Sequence, residues 1–129
     1  MMLFEEGGIY HVFNQGNNRR KVFFMRENYL FFLKKIRLHV LPYADLLAWC
    51  LMPNHFHLMI YFRDSRGATG QKMGSRGATS SRTPTLPPFP APTFNHSLGI
   101  MLASYTRAIN LQEKFSGSLF RKGTKAVCL

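Results

Sequence analysis

The chain has 129 residues, 17 of them Lys or Arg and 6 Asp or Glu, for a formal charge of +11. At 46% hydrophobic and 14% aromatic it is a single folding domain that buries roughly two thirds of its unfolded surface, which excludes a disordered basic tail and leaves a polyanionic partner in view. No run approaches the roughly 18 to 20 apolar residues that span a bilayer, and the start Met1-Met2-Leu3-Phe4-Glu5-Glu6 lacks a basic n-region, so a cytoplasmic protein with no membrane partner is expected.

Ile9 to Asn14 is β-branched and aromatic and runs into the turn formers Gln15-Gly16-Asn17-Asn18, which reads as a first strand and a polar turn. Arg19-Arg20-Lys21 follow. Tyr29, Phe32, Leu33, Ile36 and Val40 then recur at helical spacing, with Pro42 as a stop. Ala44 to Met52 and His55 to Phe62 are two apolar strands joined by the turn Pro53-Asn54. They are expected to pair as an antiparallel hairpin, both rich enough in apolar residues to lie centrally in a sheet covered by helices. Cys50 and Cys128 form no Cys-x-x-Cys motif and read as reduced, structural thiols.

From residue 63 to about 93 the composition turns to Gly, Ser, Thr, Pro and Arg, with Ser65-Arg66-Gly67-Ala68-Thr69 repeated at Ser75-Arg76-Gly77-Ala78-Thr79. Such a stretch cannot pack a core and reads as a long disordered basic loop inserted after the third strand. Leu98, Met101, Leu102, Tyr105 and Ile109 then define a second helix capped by Asn95 or Ser97. A turn at Phe115-Ser116-Gly117-Ser118 and a β-like tail, Leu119-Phe120 with Ala126 to Leu129, complete the order β, α, β, β, α, β. That order is an α+β, ferredoxin-like split fold, an antiparallel sheet with two helices on one face.

His55-Phe56-His57 is the one arrangement with metal-ligand potential. On a strand, positions i and i+2 share a face roughly 6.5 to 7 Å apart, so both imidazoles can converge on one divalent ion while Phe56 turns to the core. With five histidines in the chain a His-x-His arises by chance about 0.15 times, so the tripeptide alone is a weak motif. The surrounding string, Leu51-Met52-Pro53-Asn54-His55-Phe56-His57-Leu58, closely resembles the signature of the REP-associated tyrosine transposases, single-tyrosine members of the HUH endonucleases. Tyr10-His11-Val12, Gly16-Asn17-Asn18-Arg19, Val22-Phe23-Phe24, Ser104-Tyr105-Thr106-Arg107 and Gly117-Ser118-Leu119-Phe120-Arg121 resemble further segments of that family in the same order.

The resemblance implies a transposase that binds hairpin-bearing single-stranded DNA, and cuts and rejoins it through a 5′-phosphotyrosine intermediate. It implies Mg²⁺ or Mn²⁺ on His55 and His57, and a homodimer. In the family the nucleophile lies on a C-terminal helix in a Tyr-Ile-x-x-Asn-Pro context. The chain stops at Leu129, so that helix is expected to be absent, and a non-catalytic DNA-binding remnant is the alternative reading. Tyr105 is the weak candidate for a substitute nucleophile, since its spacing puts it on an apolar stripe. His11 is expected to hydrogen-bond rather than ligate, and Gln15 stands where the family often has arginine. Arg19, Arg20 and Lys21 after the first strand, with Arg121, Lys122 and Lys125 near the C-terminus, are the expected DNA contacts. Lys34, Lys35 and Arg37 read as a solvated helix face. An RNA-binding ferredoxin-like domain is disfavoured, because no strand carries an RNP1-type pattern.

Overall fold

The computed structural model describes residues 3–64 and 93–129. Alternation builds the first strand, β1 (Ile9–Gln15): Tyr10, Val12 and Asn14 turn inward, Ile9, His11, Phe13 and Gln15 outward. A short 3₁₀ turn (Asn17–Arg19) leads to α1 (Arg26–His39), then β2 (Ala44–Met52), β3 (His55–Phe62), α2 (Phe94–Glu113) and β4 (Lys125–Cys128). The four strands are antiparallel in the order β2-β3-β1-β4. This is the α+β, ferredoxin-like split arrangement that the element order predicts. Among the described residues no helix is long and apolar enough to cross a membrane.

The core lies between one sheet face and the two helices. Phe56, Leu58, Ile60 and Phe62 of β3 are buried with Phe32 and Ile36 of α1 and with Phe94, Leu98, Met101, Tyr105 and Ile109 of α2. Ring contacts join both helices to β3: Phe32 to Phe56 at 5.1 Å between centroids, and Phe94 to Phe62 at 5.4 Å. The other sheet face carries no helix among the described residues.

Several boundaries differ from those predicted. The helix α2 starts at Phe94, with Thr93 rather than Asn95 or Ser97 as its cap; the Thr93 hydroxyl accepts from the His96 amide at 3.2 Å. Phe94 extends the buried stripe 98, 101, 105, 109 back by one turn, and Ser97 instead donates to the His39 carbonyl at 2.7 Å, tying the helices together. The helix α1 starts at Arg26 because Asn28 Oδ1 accepts from the amides of Phe24 and Met25. The strand β2 is an edge rather than a central strand, paired with β3 alone and irregular between Leu46 and Ala48. Its apolar run is therefore largely uncovered, with Trp49 54% exposed. Leu119 and Phe120 form no strand; Phe120 makes one isolated bridge to Gly16. Both cysteines are free and exposed, so neither is a core residue.

The low-complexity segment and its duplication fall, from 65 to 92, outside the described residues. Arg63, grouped with that segment by composition, belongs to the fold: it pairs with Asp45 at 2.9 Å and donates to the carbonyls of Leu41 and Ala44.

Tyr105 is fully buried, and its phenol donates to the Val22 carbonyl at 2.6 Å. Burial, with a smaller contribution from Tyr29, drives its pKa far above the usual phenol value. Replacing Tyr105 with Phe is expected to lower unfolding free energy by about 1 to 3 kcal/mol, read by urea denaturation, since it strands a buried acceptor.

Candidate nucleic-acid and metal site

Three connections meet at the end of the sheet that carries His55. The Gly16 amide donates to the Asn54 carbonyl at 2.8 Å, the Val22 amide to the Pro53 carbonyl at 2.7 Å, and the Asn17 amide to the Leu119 carbonyl at 2.8 Å. Gly16 is required there by space, since a Cβ would fall 2.0 Å from the Arg20 carbonyl oxygen. The segment between α2 and β4 is held to β1 by Asn14, a buried polar residue. Its Nδ2 donates to the Arg121 carbonyl at 3.1 Å and to Thr124 Oγ1 at 3.0 Å, while its Oδ1 accepts from the Gln15 amide at 2.7 Å. The Arg121 amide donates to the Gln15 carbonyl at 2.9 Å. With its side-chain oxygen turned to the guanidinium, Gln15 lies against the Arg121 head group, 2.8 to 3.0 Å from its three nitrogens.

These constraints open a cleft of about 530 Å³ whose walls include His55, His57, Phe13 and the three bases Arg121, Lys122 and Lys125. Among the described residues that line it there is no carboxylate. The cleft therefore presents a positive surface to an anion. The structure brings together both expected metal ligands and half of the expected DNA contacts. Arg19, Arg20 and Lys21 do not line it. They lie on the neighbouring β1–α1 connection, where Arg20 covers the Phe115 ring at 4.5 Å.

The histidines form a hydrogen-bonded group on the helix-free face. His57 Nδ1 lies 2.8 Å from His11 Nε2, the two rings being nearly coplanar and edge to edge, with centres 4.9 Å apart. His11 thus has the hydrogen-bonding role expected of it. His55 Nδ1 lies 2.7 Å from Asn54 Oδ1. A carbonyl oxygen only accepts, so the His55 proton in this contact sits on Nδ1, and in the neutral ring Nε2 is the lone pair. His57 does the same when its Nδ1 donates to His11. This pairing of one ring nitrogen with a polar neighbour is the usual support of a ligating imidazole. The rings of His55 and His57 stand 5.0 Å apart at 82°. Two imidazoles on one ion at about 2.1 Å place their ring centres roughly 4.6 to 5.3 Å apart, a range that includes the separation of this pair. Among the described residues no group of three His, Cys, Asp or Glu side chains could hold a metal. The remaining coordination positions would fall to water or to a phosphate oxygen.

No family model matches the sequence, and no curated protein matches it. Among solved structures, the chain is similar to a REP-associated tyrosine transposase bound to a REP hairpin, at 11% identity and a TM-score of 0.56. The likeness is one of fold. It covers 100% of this chain, which spans 60% of that transposase. Within this transposase-like fold the sequence signature lands where three connections converge. Tyr105 does not: it is buried on α2, on the helix side of the sheet, with its phenol bonded to the Val22 carbonyl.

Sequence reasoning missed Phe13 and Asn14 as site residues. An asparagine among the inward positions of an apolar strand was the available signal for Asn14. For Phe13 there was none, because its neighbours depend on strand register.

Burial lowers the pKa of His57, and the charges of His11 and His55 lower it further; burial and then Lys35 lower that of His39. Both imidazoles then bind protons more readily in the unfolded chain, so stability is complete above the ordinary imidazole value of 6.5 and falls as pH drops below it. Thermal melts between pH 7.5 and 5.5 are expected to show this loss, and His57→Gln to make it shallower.

Proposed function

We propose that the protein binds hairpin-bearing single-stranded DNA in the cleft between β1, β3 and the 121–125 segment. The observation that carries this reading is the convergence of Arg121, Lys122 and Lys125 on His55 and His57 in a cleft lined by no described carboxylate. The fold likeness to a transposase whose structure holds a REP hairpin supports it. Phosphates of the strand lie against the three bases, which neutralise charge and fix the strand's position without reading its sequence. A Mg²⁺ or Mn²⁺ held by the Nε2 atoms of His55 and His57 would polarise a phosphate oxygen and stabilise charge developing there. Imidazole favours Mn²⁺ over the oxygen-seeking Mg²⁺. His11 and Asn54 keep the two rings oriented, and the Arg121 guanidinium packs against Gln15 at the same cleft.

The reaction that suits this arrangement is metal-dependent cleavage and rejoining through a phosphotyrosine, in which the bond energy stays in the protein–DNA link and no ATP is needed. A second reading, binding without cleavage by these residues, is favoured by one observation. None of the five tyrosines lines the cleft, and Tyr10, Tyr43 and Tyr105 are buried. Incubation with Mn²⁺ and hairpin single-stranded DNA separates the two: a covalent adduct on a denaturing gel supports cleavage, its absence with intact binding supports the second.

If the three cleft bases each meet one phosphate, log affinity for single strands falls with log salt at a slope of about −2 from them alone. Fluorescence anisotropy across a salt series should show the Arg121→Ala, Lys122→Ala, Lys125→Ala triple variant flatter by that amount. The corresponding change at Lys34, Lys35 and Arg37 should leave the slope as it was. Separately, Mn²⁺ titration followed by electron paramagnetic resonance should show binding that His55→Ala or His57→Ala abolishes, and that His11→Ala weakens about 10- to 100-fold.

A further inference from the structure

Phe13 is unaccounted for by phosphate or metal binding. It faces away from the helices, is only half-buried, and lies outside the core cluster. One side of its ring is stacked on His11 at 4.5 Å and 26°, and it lies at 27° to the His57 ring, 5.8 Å away. The ring thus belongs to a triangle of similarly inclined rings, Phe13, His11 and His57, outside the core cluster. It also lines the basic cleft. Across the sheet Phe13 is opposite His57 on β3 and Lys125 on β4. A flat apolar ring is thereby flanked on both sides by groups suited to a phosphate.

We propose that Phe13 is the platform of a nucleobase subsite: one unpaired base of a DNA single strand stacks on it, continuing the His11–Phe13 stack into the cleft. This rests on the DNA-binding reading above and adds to it which part of the DNA the cleft takes. A base inside a duplex has both faces covered by its neighbours, so away from the duplex ends an unpaired nucleotide supplies the face that meets the ring. The adjoining phosphate then meets Lys125 or the His55–His57 pair. Hydrogen-bond readout is not part of the contact, and every base has a π-face, so the subsite takes any of the four bases.

Two DNA ligands test this by fluorescence anisotropy: a hairpin with a single-stranded flank, and a blunt duplex of equal charge. Phe13→Leu, which keeps an apolar side chain and removes the π-face, is expected to weaken flanked-hairpin binding about 5- to 100-fold. It should leave duplex binding and the salt slope unchanged, and Phe13→Trp should restore affinity. A scan with single abasic positions along the flank, made with the unaltered protein, guards against misfolding of the variant. One position should cost a similar factor, and that cost should vanish in Phe13→Leu, as expected for two groups in direct contact. Equal binding by the Leu variant, or abasic losses that persist in it, would overturn the subsite and leave the DNA-binding reading standing. Failure of the unaltered protein to bind any DNA at low salt would overturn both.

Discussion

Pairing of β1 with β3 in the register Phe13↔His57 decides which face of the sheet His11, Phe13, His55 and His57 take. Side chains alternate with period two, so this register puts Val12, Phe56, Leu58 and Ile60 under the helices, and His11, Phe13, His55 and His57 on the opposite face. A slip by one residue would exchange the two sets, burying imidazoles and exposing phenylalanine and leucine. The hydrophobic cost of that exchange holds the register, and with it the site. The core thus acts on function through geometry, without any residue of the apolar core cluster lining the cleft.

The rim of the cleft depends on a smaller device. Asn14 faces the core side of β1, where an apolar residue would ordinarily sit, and directs its amide to the 121–124 segment and its carbonyl to the Gln15 amide. A buried amide that left these groups unpaired would be costly. Because each is paired, Asn14 fixes a connection that has little apolar burial of its own beyond Leu119 and Phe120. Arg121 is consequently held through its backbone by Asn14, and its guanidinium packs against the Gln15 amide. The glutamine that replaces an expected arginine therefore packs against a neighbouring arginine rather than presenting a charge of its own.

The charge of +11 is distributed unevenly over these features. Arg121, Lys122 and Lys125 face the histidines, while Arg20 lies on Phe115 and Lys35 over Phe31 at 5.0 Å. A guanidinium or ammonium spread over a ring contributes packing as well as charge. Net charge consequently indicates the class of partner, and position decides which bases share the cleft.

Element type and order were legible in the amino-acid sequence. The strands at 44–52 and 55–62 have the predicted bounds, because turn formers flank largely apolar runs. Helix starts were less legible, since Phe94 and Asn28 owe their places to tertiary contacts with Phe62 and to the preceding backbone amides. The centrality of β2 was misjudged because apolar content does not reveal how many neighbours a strand has. His55 and His57 could be paired from sequence, as strand periodicity places i and i+2 on one face. That His11 completes their hydrogen bonding, that Phe13 stands between His57 and Lys125, and that Tyr105 lies across the sheet from them could not. Local periodicity determines which side of its own element a residue takes; which residues of other elements it meets is decided only when β1 is inserted between β3 and β4, far apart in the chain.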